Sequence, residues 1–271
     1  MSDEILKKRY GSWALLAGAA EGLGEAFTFT LARRGMNIVM VDNQPGPLKA
    51  LAKKVEEEFG IKTITQYLDL AQADAAREIM HILRGIDCRL MIYNAAFSRV
   101  KPFLESTEEE LDLYMDTNAR TPLKLVHAFA AYLQQHSRAG GIMLMSSLAG
   151  LIGMQLVAPY AATKAFTWNL VEALHHELKS LHIDIMACIA GATATPAYLA
   201  TKPHYGLFKP SVMKPEMVAE EALSRFGRKT LYIPGLLNRW SYFFLTRLLP
   251  RKVASAIANR TMKRMYRFNV K

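Results

Sequence analysis

Two kinds of hydrophobic run take turns along this chain. Short apolar stretches, "SWALLAG" (12–18), "NIVMVD" (37–42), "KTITQYLDL" (62–70), "CRLMIYNAA" (88–96), "GGIMLMSS" (140–147) and "IDIMACIAG" (183–191), have the length and composition of buried strands. Between them lie amphipathic stretches: "EGLGEAFTFTLARRG" (21–35), "PLKALAKKVEEEFG" (47–60), "ADAAREIMHILRG" (73–85) and "YAATKAFTWNLVEALHHELKSLH" (160–182) each predict a helix. "TEEELDLYMDTNARTPLKLVHAFAAYLQQHS" (107–137) predicts one or two more. So regular an alternation predicts an α/β fold with a doubly wound parallel sheet. Neither a repeat nor a low-complexity linker interrupts it, so residues 1–235 are expected to form one domain.

The first strand-to-helix turn narrows the ligand. "AGAAEGLG" places Gly18, Gly22 and Gly24, with Glu21 and Leu23 among them, between strand one and helix one. Glycines there let backbone approach a pyrophosphate, whose charge the helix N-terminus meets. Strand two ends in Asp42, a carboxylate able to accept hydrogen bonds from both hydroxyls of an adenosine ribose and to repel a 2′-phosphate. With Glu21 adding negative charge in the loop, NAD is expected over NADP.

Composition changes the picture in two places. At 271 residues and 51% hydrophobic, the chain can bury a full core. Its two cysteines, Cys88 and Cys188, fall within strand runs and are expected to be reduced core residues. "MSDEILKKRYGSW" lacks the apolar stretch of a signal peptide, and no uninterrupted membrane-length apolar run follows. A cytoplasmic location, with or without peripheral membrane attachment, is the expectation. The net charge of +10 is localised: after Glu221 come twelve Lys or Arg and no acidic residue, while the rest of the chain is near neutral.

A tyrosine four residues before a lysine occurs three times, in "YAATK" (Tyr160, Lys164), "YLATK" (Tyr198, Lys202) and "YGLFK" (Tyr205, Lys209). The last two sit among Pro196, Pro203, Gly206 and Pro210, in breaker-rich chain. Tyr160 and Lys164 open a long helical pattern and share one face. Thirteen residues before Tyr160 is Ser147, whereas that offset gives Ile185 or Ala192 for the other two. Tyr160 is the candidate catalytic phenol.

At this point the chain resembles the short-chain dehydrogenase/reductase family, nearest to its steroid and 3-oxoacyl reductase members, over roughly residues 10–225. The motifs that carry the resemblance are the glycine turn, "YNAA" (93–96), Asn118 in "MDTNA", the Ser147/Tyr160/Lys164 set and "AGATATP" (190–196), in the family's order. The resemblance implies a Rossmann fold and an NAD(P)-dependent oxidoreductase. Tyr160 would exchange a proton with the substrate oxygen, its pKa lowered by Lys164 and the nicotinamide. Lys164 would also hold the nicotinamide ribose, Ser147 would bond the substrate oxygen, and Asn118 would anchor a water leading to Lys164. Asp69 and Leu70 would touch the adenine, Asn94 with Ala95 would brace the sheet beside the cofactor, and Gly191 and Thr195 would meet the nicotinamide. Ala17, Ala96 and Ala190 depart from the family's usual Thr, Gly and Pro; none removes a catalytic group.

The segment after strand six, residues 196–215, carries Tyr198, Tyr205, Leu207, Phe208 and Met213, which implies a large apolar small-molecule substrate. His204, Lys202 and Lys209 could meet an acidic group on it. The extension, 236–271, predicts a basic amphipathic helical pair, with Leu237, Trp240, Phe244 and Leu248 on one face and Val253, Ile257, Thr261, Met265 and Phe268 on another. Such a tail suits an anionic membrane surface, packing over the substrate segment, or a subunit interface in a homo-oligomer; nucleic acid is the weakest fit. His175 and His176 lack a second ligand pair, so no metal site is expected. The functions this sequence supports are NAD(H)-dependent interconversion of a hydrophobic secondary alcohol and its ketone, NADPH-dependent 3-oxoacyl or steroid reduction, and dinucleotide sensing without turnover.

Overall fold

The structure is a computed structural model that describes residues 3–205 and 211–267. Leu207, Phe208, Lys209, Phe268 and Lys271 lie outside them. Seven strands form one parallel sheet: β1 (Trp13–Ala17), β2 (Asn37–Asp42), β3 (Thr63–Tyr67), β4 (Cys88–Tyr93), β5 (Gly140–Ser147), β6 (Ile183–Ala190) and β7 (Leu231–Tyr232), in the order β3-β2-β1-β4-β5-β6-β7. The order reverses beside β1, which opens a crevice at the carboxyl ends of β1 and β4. Register brings Ala17 opposite both Val41 and Tyr93, so Gly18, Asp42 and Asn94 emerge side by side at that edge.

Helices cover both faces. On one lie α1 (Asp3–Tyr10), α2 (Leu23–Arg33) and α3 (Pro45–Phe59); on the other lie α4 (Ala75–Ile82), the run α5 (Glu108–Met115) to α6 (Thr121–Gln135), and α7 (Ala158–Leu178). After the short α8 (Pro196–Ala200), α9 (Pro215–Arg225) returns to the first face beside α2. Phe27, Leu31 and Val218 pack under the first set, and Ile79, Phe129 and Val171 under the second. Cys88 and Cys188 are free thiols in these layers.

One element keeps to expectation and two differ from it. The long amphipathic stretch is one continuous helical run, started by a capping box between Thr107 and Glu110 and interrupted by a π turn at Asp116–Arg120. β3 stops at Tyr67, which frees Asp69 and Leu70 into the loop at the sheet edge. α1 was not anticipated: its eight residues are mostly polar, and it is held by Leu6, by Tyr10 against Phe226, and by the Tyr10 hydroxyl donating to Asp184 at 2.7 Å.

The chain ends in α10 (Leu236–Phe243), a π turn (Phe244–Leu248) and α11 (Arg251–Met265). The apolar face expected of α10 holds, and that of α11 needs correction. Leu237, Trp240, Phe244 and Leu248 all face outward, and α11 buries Ala254, Ala258, Met262 and Met265 while Val253 and Ile257 stay exposed. The small alanines let α11 approach Ile152 closely, so tertiary fit overrides the stripe of larger side chains. Among the described residues no helix is long and apolar enough to cross a membrane.

Candidate active site

A single large cleft of about 980 Å³ runs from the glycine turn to the C-terminal helices, near the upper end of the roughly 300–1,000 Å³ typical of small-molecule sites. Every candidate cofactor residue lines it except Gly24, which acts beneath the surface. A Cβ on Gly24 would stand 2.0 Å from the Gly18 carbonyl oxygen, so only glycine lets α2 start so close to the turn. Gly18 has φ +81° and would drive a Cβ to 2.5 Å from Ala95 N. The turn is tied down by Gly18 N–H and Ala19 N–H donating to Val41 O and by Asn94 Nδ2 donating to Gly18 O at 2.7 Å. Gly22 is the N-cap of α2 and supplies no side-chain cap. A shallow glycine cradle at an uncapped helix start fits the pyrophosphate of a dinucleotide.

Asp42 has a structural task as well. Its carboxylate accepts from Ala20 N at 2.9 Å and from Gln44 N at 3.1 Å, so it clamps the glycine turn to the end of β2. Each oxygen retains acceptor capacity toward the cleft. Asp69 accepts from Ala71 N at 2.9 Å, with the buried Leu70 beside it on the cleft wall. Across the cleft, Thr195 caps α8 through the Tyr198 N–H and lies against Gly22, while Gly191 has the Asn238 carboxamide packed on its Cα.

The middle of the cleft holds the Ser147/Tyr160/Lys164 group. Ser147 ends β5, its hydroxyl accepts from Ala149 N at 3.2 Å, and it stands close enough to the Tyr160 hydroxyl to pull on its pKa. Tyr160 stands in the first turn of α7 and Lys164 one turn on, with its Nζ 5.6 Å from the Tyr160 ring centre. Two contacts seat α7 against β5: Ser146 Oγ donates to Lys164 O at 2.8 Å, and Gly150 lets the α7 backbone approach. Ser146 was not anticipated; only its place one residue before Ser147 hinted at it.

Lys164 by itself does not bring about the lowering of the Tyr160 pKa expected from Lys164 and the nicotinamide together. Burial pushes the phenol up, against a smaller pull from the Ser147 hydroxyl. Lys164 Nζ donates instead to Met145 O at 2.7 Å, and burial draws its pKa down to about 8. An amine at about 8 folded against 10.5 unfolded binds fewer protons in the folded state between those values. Its destabilising contribution is therefore complete below pH 8 and disappears as pH rises to 10.5. Thermal unfolding of cofactor-free protein should show the stability of wild type relative to Lys164→Met increasing through this window, by on the order of 3 kcal/mol. A flat difference would show that Lys164 is not the buried, easily deprotonated amine described here.

Asn118 is buried. It lies in the π turn, does not line the cleft, and spends its side-chain amide on Phe97 N (2.7 Å), Phe97 O (2.9 Å) and Thr163 Oγ1 (3.1 Å). Of the other two spacings, Tyr198 and Lys202 do not form a pair of the same kind, and Lys209 of the third lies outside the described residues. The Tyr205 hydroxyl donates to that of Tyr198 at 2.9 Å, and Lys202 is exposed at the end of α8 with φ +47°.

The far end of the cleft is apolar, lined by Leu151, Ile152, Met154, Leu245, Ile257 and Met262. Half of that wall comes from the C-terminal extension. Asn259 accepts from Gln155 N at 2.6 Å and donates to Gly153 O at 3.0 Å, Met265 O accepts from His204 N at 2.8 Å, and the Tyr266 hydroxyl meets Thr201 Oγ1 at 3.1 Å. Of the uses open to the tail, packing over the substrate segment is thus realised.

Residues 12–205 match the short chain dehydrogenase family. The chain is a short-chain dehydrogenase. It is 30% identical to the 7beta-hydroxysteroid dehydrogenase of Clostridium sardiniense over 233 residues, 86% of this chain and 89% of that one. It is 31% identical to the very-long-chain 3-oxoacyl-CoA reductase of Pyricularia oryzae, covering 85% and 69%. A solved 7beta-hydroxysteroid dehydrogenase structure superposes with a TM-score of 0.85 at 26% identity, covering 93% of this chain and 98% of that one. The protein is accordingly an oxidoreductase of a family that uses NAD(H) or NADP(H), and similar solved chains include one holding NADPH.

Proposed function

We propose that this short-chain dehydrogenase interconverts a bulky apolar ketone and its secondary alcohol. The observation that carries this reading is the convergence of Ser147, Tyr160 and Lys164 at mid-cleft, with an apolar chamber beyond them closed by the C-terminal helices. A bound reduced nicotinamide supplies the hydride. Ser147 donates a hydrogen bond to the carbonyl oxygen as negative charge develops there. Tyr160, kept protonated by burial, delivers its proton to that oxygen and completes the alcohol. Lys164 holds positive charge beside the phenolate left behind and exchanges protons near its pKa of about 8. Asn118 acts as a positioning residue, fixing the Phe97 loop against α7.

The apolar chamber and the relatives named for hydroxysteroid and 3-oxoacyl substrates make rigid polycyclic ketones and long-chain 3-oxoacyl thioesters the classes to test. Turnover of these with NADH and with NADPH, followed at the reduced nicotinamide band, tests the reading; no turnover with either cofactor would favour dinucleotide sensing. We assign NAD as the preferred cofactor, because Asp42 faces the cleft beside the uncharged Asn43 and Gln44. Asp42→Asn, which keeps an acceptor for Ala20 N–H, should weaken NAD by roughly 1–3 kcal/mol and narrow its advantage over NADP, read by nicotinamide fluorescence titration. A wild-type preference for NADP would overturn the assignment. Assembly into a homo-oligomer is also inferred, from Met115, Leu123 and Phe166 exposed on α5, α6 and α7; a monomeric mass in solution would remove it.

A further inference from the structure

The C-terminal helices have two faces with opposite character. Inward, Tyr242, Leu245, Ala258 and Met262 line the cleft. Outward, Leu236, Leu237, Trp240, Phe243, Phe244 and Leu248 are 47–66% exposed, and on α11 Val253 and Ile257 are each 44% exposed. In α10 and its π turn these positions recur at three- and four-residue intervals, so they form one stripe of consecutive large apolar side chains with Trp240 and Phe243 in edge contact. A soluble surface rarely carries such a patch without a partner.

Charge identifies the partner. Residues 236–267 hold eight Lys or Arg and no Asp or Glu. Seven of the eight, Arg247, Arg251, Lys252, Arg260, Lys263, Arg264 and Arg267, are exposed; Arg239 alone turns inward to Glu221 and Tyr232. A second copy meeting this face about a two-fold axis would set this cationic surface against itself. An anionic bilayer supplies what both features need: a hydrocarbon boundary for Trp, Phe and Leu, and phosphate headgroups for the long basic side chains that reach past them.

We propose that α10, its π turn and α11 form an interfacial plate that seats the enzyme on an anionic lipid surface, and that the apolar substrate passes from the lipid into the cleft beside this plate. Ile257 marks the passage, since it lines the cleft and is also exposed on the outer face. Its length and composition make the plate lie on the surface rather than span it. The delivery step rests on the ketone-reductase reading; the seating does not.

The test uses full-length protein and vesicles of phosphatidylcholine alone or with about one-third phosphatidylglycerol, an anionic fraction that attracts basic segments. Flotation at low salt should recover the protein with the anionic vesicles and not with the neutral ones, and Trp emission should shift to shorter wavelength as Trp240 enters the interface. The double variant Trp240→Ser/Phe244→Ser changes only exposed side chains and should lose vesicle affinity by about tenfold or more, while keeping its melting temperature and its turnover of a water-soluble ketone. With a ketone dissolved in the vesicles, the same variant should show a raised apparent KM at unchanged kcat. Absence of binding to anionic vesicles at low salt, or undiminished binding by the double variant, would overturn the proposal. So would a halved solution mass of the double variant by light scattering, which would make the stripe a subunit interface. Flotation needs no turnover, so a failed ketone assay with intact flotation would remove the substrate reading and leave the seating in place.

Discussion

Tyr160→Phe should reduce ketone turnover by about 10²–10⁴-fold, the usual range for loss of a general acid, with cofactor affinity nearly unchanged. The substitution keeps the ring that packs beside Lys164 and deletes only the hydroxyl that faces Ser147. A buried phenol is a better proton donor for reduction than a base for oxidation at neutral pH, because burial disfavours the phenolate. The effect should therefore appear in kcat while the cofactor dissociation constant, measured by fluorescence, stays within about twofold. Tyr198→Phe and Tyr205→Phe break a phenol–phenol contact at the substrate segment and should change only apparent substrate affinity. Turnover retained in Tyr160→Phe, with turnover lost in either of the others, would reassign the proton donor.

Truncation after Gly235 should have the second large effect. It removes no residue proposed for chemistry, yet it uncovers Ile152, Leu156 and Val157, which α11 buries through Ala254, Ala258 and Met262. It also takes Asn238 from its seat against Gly191 and Met213, where its Nδ2 donates to Pro234 O at 3.0 Å. Exposing those side chains, at roughly 1 kcal/mol or more apiece, corresponds to a fall in melting temperature on the order of 10 °C for a chain of this size. Bulky ketones should suffer more than small ones, by about 10- to 100-fold in kcat/KM, because the wall that orients them is gone. A truncated enzyme with wild-type melting temperature and undiminished activity on bulky ketones would show that the extension does not complete the chamber.

These two results probe the two ways in which the molecule was legible. The alternation of strand and helix, the glycine turn and the Ser147/Tyr160/Lys164 spacing are written in local periodicity. Their neighbours in space follow from the sheet's topology, so residues far apart in the chain meet at one predictable edge. Asp42, Asn94 and Ser147 lie at or just past the ends of their strands for that reason, and no contact needed to be known in advance. The second task of Asp42, clamping Ala20, was less accessible: a side chain that bonds a neighbouring loop leaves no pattern in its own segment.

What sequence alone determined is therefore the fold, the family and the candidate for the reacting group, since each depends on spacing within an element or on motif order. Tertiary structure decided the rest. It placed Asn118 behind the cleft wall, because a carboxamide has no periodicity to show which backbone it will bind. It made α1 a helix, whose Tyr10 is held by Phe226 and Asp184 from much later in the chain. It turned α10 and α11 so that alanines face Ile152 while Trp240 and Phe244 face outward. An amphipathic pattern records that a helix has two faces, but which face is buried depends on the shape of the surface it lands on, and here close approach to the loop over the cleft selected the smaller side chains.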